Sequence, residues 1–143
     1  MKKSTLLAAL LLTITFSYSQ SAKKLVKTGI TKFQKEDYKG AIAEYTKAIE
    51  IDSNYADAYF YRGYTKFTLK DYQGAIIDYT KNVELDPKSY DGFIDRGDVK
   101  YILKDYKGAI ETAKISMEAA KADGDNAYVS ANQKSIEEWS NKR

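Results

Sequence analysis

Asp91, Asp95 and Asp98 occupy one short stretch at helical spacing. They share a face over about two turns, ~10 Å. A carboxylate pair such as Asp95 and Asp98 has two chemical uses. It can serve as acid and base on a glycosidic bond, or it can receive a lysine or arginine from a partner and add orientation and on-rate. The rest of the sequence supplies nothing for catalysis. There is no His and no Cys, so imidazole bases, thiolate nucleophiles and the usual soft metal ligands are missing. No phosphate-binding glycine loop is present. The chain is expected not to be an enzyme, and no catalytic residue and no cofactor is nominated. The Asp123-Gly124-Asp125-Asn126 turn lacks the spaced acids and terminal Glu of a calcium loop. With Asp57, the three aspartates are assigned to the flanks of a binding surface. The plain alternative is a solvated acidic face, with Asp91 favourably near a helix N-terminus.

A second set of residues is apolar and aromatic. Tyr accounts for 13 residues, against five Phe and one Trp. Val26, Ile30 and Phe33 stand at i, i+4 and i+7. Phe60, Tyr64 and Phe67 repeat that pattern, and Ile94, Asp98 and Tyr101 repeat it again. Rings of this kind give contact area at low entropic cost. Helical aromatic stripes also serve as core. Packing between neighbouring units is the reading preferred for Phe33, Phe67 and Tyr101, and surface contact for Phe60 and Tyr64.

The elements that position these residues follow from self-similarity. DYKGAIAEYTKAIEID (37–52), DYQGAIIDYTKNVELD (71–86) and DYKGAIETAKISMEAA (105–120) each begin 34 residues after the previous block. Six of the eight glycines, at 29, 63, 97 and at 40, 74, 108, keep the same period. Each unit reads as two helices. Ala56 to Lys70 has no breaker except Gly63, Asp71 offers a capping oxygen, and Tyr72 to Leu85 runs until Asp86-Pro87. Tyr72, Ala75, Ile76, Tyr79 and Val83 make the second helix amphipathic. A glycine inside a helix costs ~1 kcal/mol relative to alanine, so its recurrence predicts a steric need, most simply two backbones in close approach.

A 34-residue unit with these landmarks resembles the tetratricopeptide repeat family. Gly29, Gly63 and Gly97 match the small residue of the first helix. Tyr38, Tyr72 and Tyr106 precede Ala41, Ala75 and Ala109, which match the small residue of the second. Tyr45 and Tyr79 match the following aromatic, which Ala113 replaces in the third unit. Ala48 matches the next small residue, where Asn82 and Ser116 stand later. Pro87 matches the closing proline, and Leu25, Tyr59 and Phe93 match a large residue near the start. Thr28, Arg62 and Arg96, and Lys32, Lys66 and Lys100, depart from the family pattern in all three units alike. The resemblance implies an all-α solenoid: repeats at 22–55, 56–89 and 90–123, then a capping helix at 124–143. In that last segment Tyr128, Ala131, Ser135, Ile136 and Trp139 are expected to share the docked face. Stacked pairs bury a core that no single pair can bury alone.

The resemblance further implies a concave groove that holds a peptide or partner protein. Its expected lining is Val26, Ile30, Phe60, Tyr61, Tyr64, Ile94, Asp98 and Tyr101, flanked by Asp57, Asp91 and Asp95. Some members of the family clamp a C-terminal carboxylate with basic side chains. Val26, Ile30, Tyr61, Ile94 and Asp98 occupy the matching places here, and none is basic. The rival assignment is a structural subunit of a larger envelope assembly, or a scaffold that associates with itself.

Residues 1–19 have the form of a signal peptide: Lys2 and Lys3, an apolar run from Leu6 to Phe16, then Ser17-Tyr18-Ser19 before a cut ahead of Gln20. The run is too short for a span of ~20 residues, and a retained anchor is the competing reading. Cleavage leaves 21 basic against 20 acidic residues, net +1. The mature chain is expected to be secreted or periplasmic, with no membrane span. Its charge gives no case for nucleic acid.

Overall fold

The computed structural model describes residues 20–142. The leader expected over 1–19 lies outside the described residues. All regular structure among them is helical: α1 over 20–34, α2 Tyr38–Ile51, α3 Ala56–Thr68, α4 Tyr72–Leu85, α5 Tyr90–Ile102, α6 Tyr106–Asp123 and α7 Asn126–Ser140. From α2 onward each helix packs on the next, and α5 also touches α3 and α7; α1 joins α2 through Ala22, Val26, Ala41 and Tyr45. None is long and apolar enough to cross a membrane.

The recurrent aspartates start the second helix of each pair. Asp37, Asp71 and Asp105 accept hydrogen bonds from the amides of Gly40, Gly74 and Gly108 at 2.9, 3.0 and 3.0 Å, satisfying a donor that no helical carbonyl reaches. A Cβ on any of these three glycines would strike the capping carboxylate. The residue before each cap, Glu36, Lys70 or Lys104, is left-handed, with φ of 61°, 63° and 65°. The following amides reach back to Lys32, Lys66 and Lys100 carbonyls at 3.0, 2.9 and 2.9 Å, as in a Schellman termination. Asp125 caps α7 through the amides of Ala127 and Tyr128.

The in-helix glycines have a different cause from the one their recurrence suggests. An aromatic ring stands against the space a side chain would need, joined at Gly63 by the Asp78 Cβ at 3.2 Å and at Gly97 by the Ala109 carbonyl oxygen at 3.7 Å. Tyr45 covers Gly29, and a Cβ at Gly63 would stand 3.2 Å from the Tyr79 ring. At Gly97 the ring is that of Trp139, 3.0 Å away. Ala113 leaves the third pair without its own ring, and α7 returns one. Trp139 is buried with Ala109, Ile110 and Ala113 and stacks on Tyr101 at 5.6 Å.

The docked face of α7 differs by one position from expectation. Ala131 is exposed and Asn132 is buried. The Asn132 amide donates to Ser116 Oγ at 3.0 Å and to the Tyr128 carbonyl at 2.8 Å, so a polar side chain is accommodated by full pairing. Asn82 does the same between pairs. It donates to the Ala56 carbonyl at 3.1 Å and accepts from Ser89 Oγ at 2.7 Å.

The shared departures at the Arg and Lys positions also find their reason. In the first two pairs they neutralise an acid on the second helix. Lys32 meets Glu44 at 2.7 Å. Buried Asp78 receives Arg62 through two bonds of 2.9 and 2.7 Å and Lys66 at 2.7 Å.

Candidate functional site

Hollows run along the face made by α1, α3 and α5. An apolar one of about 220 Å³ is lined by Ile30, Phe33, Gln34, Tyr45, Tyr61, Tyr64 and Thr65. Its rings brace one another. Tyr61 stacks on Tyr45 at 6.0 Å, and Phe33 lies 5.4 Å from Tyr64. Tyr64 is 42% exposed and forms the wall shared with a smaller hollow of about 50 Å³, closed by Phe67, Tyr79, Asp95 and Asp98. A third, open and more polar, lies between Asp57, Phe60, Tyr61, Asn82, Ser89 and Asp91.

The expected groove residues therefore divide. Ile30, Tyr61 and Tyr64 line the apolar hollow. Phe33, assigned to packing between units, lines it as well, and also meets Tyr38 at 5.2 Å. Val26 is buried, 3% exposed, with Ala22 and Ala41, yet it also lines a wider open hollow of about 380 Å³ with Ile30, Tyr55, Asp57 and Tyr61, edged by Lys23, Lys24 and Lys27. Phe60 packs on the Ala75, Tyr79 and Val99 cluster and reaches the face only at the Asp57–Asp91 hollow. Tyr101 lies under Trp139 and beside Tyr106 at 5.3 Å, so it serves the cap. Ile94 is half-buried.

The aspartates divide too. Asp57 and Asp91 are exposed, and Asp91 accepts a 2.7 Å bond from the Tyr128 hydroxyl of α7. Asp95 and Asp98 face the small hollow together. Burial raises the Asp95 carboxyl to about 6; the Tyr79 hydroxyl acts against that rise, and Asp98 and Asp91 add to it. Asp98 is exposed by area yet still raised by its enclosing walls, with Glu138 adding repulsion. Tyr79 had no place among the expected site residues, because its helix position reads as core. Its ring is core, fully buried, but the residue also lines the small hollow, beside Asp95 and Asp98.

Sequence and fold comparisons agree with this architecture. Residues 29–70 match the TPR repeat model, and residues 56–89 match the Tetratricopeptide repeat model. No curated protein matches the chain. Among solved structures, the TPR2B domain of yeast Sti1, in a complex with pHsp70, superposes with a TM-score of 0.79 at 22% identity, covering 87% of this chain and 99% of that one. The first TPR domain of Spaghetti, bound to the HSP90 peptide SRMEEVD, gives 0.74 at 22% identity over 87% and 94%. PcrH, in complex with the chaperone binding region of PopD, gives 0.78 at 16% identity over 86% and 93%. At these identities the likeness is one of fold. The tetratricopeptide solenoid accounts for the stacked pairs and for the first-helix face on which the hollows lie.

Proposed function

We propose that this chain is an exported protein-interaction module that holds a segment of a partner protein along the first-helix face. The observation that carries the reading is the apolar hollow braced by Phe33, Tyr45, Tyr61 and Tyr64. An apolar side chain of the partner leaves water there against rings already fixed by their neighbours, so little ordering cost remains. The similar folds of the Sti1 domain, the Spaghetti domain and PcrH, each solved with a bound partner or peptide, support the same use. At the α5 end of this face stand Asp95 and Asp98, where like charges disfavour an acidic side chain of the partner; Lys23, Lys24 and Lys27 edge the hollow at the α1 end. Export rests on the Lys2-Lys3 start, the apolar run and the Ser-Tyr-Ser end of residues 1–19; N-terminal sequencing of the protein recovered from its native host is expected to begin at Gln20.

The test is selection of peptides from a displayed random library on the purified protein. Selected peptides are expected to share one bulky apolar residue. Tyr61→Ala combined with Tyr64→Ala is expected to weaken them about tenfold or more, with helicity unchanged by circular dichroism. Equal binding to the doubly substituted protein would place the partner elsewhere.

A further inference from the structure

The hollow between α3, α4 and α5 points to a finer specificity. We propose that Asp95, Asp98 and the Tyr79 hydroxyl form a receptor for one lysine ammonium of the bound segment. This deepens the interaction-module reading and rests on it for the source of the lysine.

Three observations carry the assignment. First, Tyr79 is fully buried, yet its hydroxyl meets no partner at hydrogen-bonding geometry. The Asp95 carboxylate lies close enough for a loose hydrogen bond that acts on both groups, burial being the larger influence on each, but that bond does not close in an aligned geometry. A buried hydroxyl left this way is costly unless a ligand completes it. Second, the fold neutralises its other enclosed carboxylates. Lys32 and Lys47 serve Glu44, and Arg62 and Lys66 serve Asp78. Among the described residues no cation acts on half-buried Asp95 or on its more exposed neighbour Asp98; the groups that act on them are Tyr79, Asp91, Asp98 and Glu138. Third, the shape selects. The hollow measures about 50 Å³, and the rings of Tyr64 and Phe67 form its walls. An ammonium is compact and carries three donors. Two carboxylates and a phenolic oxygen supply three acceptors, and ring faces favour a cation between them. A planar guanidinium needs a wider, flatter slot.

The neighbouring apolar hollow shares the Tyr64 wall. The bound segment is therefore expected to present a bulky apolar side chain and a lysine to adjacent hollows, one on each side of Tyr64.

The probe that isolates the receptor is n-butylammonium chloride, the end of a lysine side chain without the peptide. It is titrated at constant ionic strength into the purified protein, and the aspartate carboxyl carbons are followed by NMR. Saturable shifts are expected at Asp95 and Asp98, with the Asp95 titration midpoint moving down. Asp95→Asn combined with Asp98→Asn is expected to weaken the response at least about tenfold, since both charge-assisted bonds are lost. Tyr79→Phe fills the same space and is expected to weaken it about threefold. n-Butylguanidinium is expected to bind less well. The proposal is overturned if Asp95 and Asp98 respond no more than exposed Asp86, if calcium chloride replaces the ammonium equally, or if the double Asn protein responds unchanged. The peptide selection separates the two readings. Wild-type protein is expected to select lysine at one fixed place, and the double Asn protein to keep the apolar preference and lose the lysine. Peptides without a lysine preference overturn the receptor and leave the interaction module standing. Ammonium binding without any selected peptide removes the module reading and keeps the cation site.

Discussion

Among the differences between the pairs α3/α4 and α5/α6, two fall on consecutive residues of the second helix, and the fold treats them unequally. Asp78-Tyr79 on α4 becomes Thr112-Ala113 on α6. The missing ring is replaced from outside, by Trp139 of α7 lying over Gly97. The missing charge is not replaced in place; only Glu84 and Glu111 act on Arg96, without an aligned bond to its Nε. Thr112 turns its hydroxyl to the Gly108 carbonyl at 2.8 Å, and Lys100 reaches that carbonyl at 3.5 Å. Arg96 stays in the place that Arg62 holds in the pair before. It lies over the Phe93 ring at 5.2 Å with Nε buried and unbonded, and burial lowers its proton affinity. Apolar volume can be filled by any element that arrives with the right shape. A buried guanidinium accepts only an aligned carboxylate or carbonyl, so the electrostatic half of the exchange is the harder half to repair.

The largest effect expected from this contrast lies on the intact side. Asp78→Ala removes the partner of both Arg62 and Lys66 and is expected to cost about 3–5 kcal/mol, read as a lower midpoint in urea unfolding. Thr112→Ala removes only a local hydroxyl bond and serves as the reference substitution. A loss from Asp78→Ala no larger than that from Thr112→Ala would show that the ion pair contributes nothing beyond its hydrogen bonds. The next effect lies on the incomplete side. Thr112→Asp offers Arg96 and Lys100 the carboxylate that Asp78 provides in the pair before, and is expected to raise stability by about 1–2 kcal/mol at pH 7. The gain should vanish in the Arg96→Met background. A loss of stability instead would mean that the α5/α6 interface has closed around the smaller side chain.

The smallest effect comes from the acids of the first-helix face, which have no cation where Asp78 has two. Asp95 is raised to about 6, chiefly by burial, opposed by Tyr79 and reinforced by Asp98 and Asp91. Between its unfolded value near 4 and that folded value, the native state holds the proton that the unfolded chain releases. Stability from this residue is therefore greatest below pH 4 and declines as pH rises through 6. Asp95→Asn is expected to flatten that segment of the stability–pH curve and to add about 1 kcal/mol at pH 7, allowing for its partial exposure. An unchanged curve would mean that Asp95 ionises like an ordinary surface acid.

The helix order, the caps at Asp37, Asp71 and Asp105 and the docking of Trp139 were legible because each depends on residue type at a fixed offset. The period also announced that glycine was required at 29, 63 and 97. It could not say whether a backbone or a ring filled the space, since that depends on the rotamers of Tyr45 and Tyr79. The left-handed residues Glu36, Lys70 and Lys104 gave no signal, because neither Glu nor Lys favours that backbone region. At the candidate site, Ile30, Tyr64 and Asp98 could be read from helical phase, and Tyr61 from the family resemblance. The role of the Tyr79 hydroxyl could not. A tyrosine on a core stripe reads as a ring, and where its oxygen ends depends on how α3 and α5 close over it.

Trp139 is the one indole of the whole chain, and it sits 4% exposed at the join between α7 and the last pair. The molecule therefore carries its own optical gauge. Emission from that single ring tracks whether the terminal helix is seated, separately from the backbone signal summed over all the helices. Partial detachment of the end of the array can be seen in the native protein without attaching a dye.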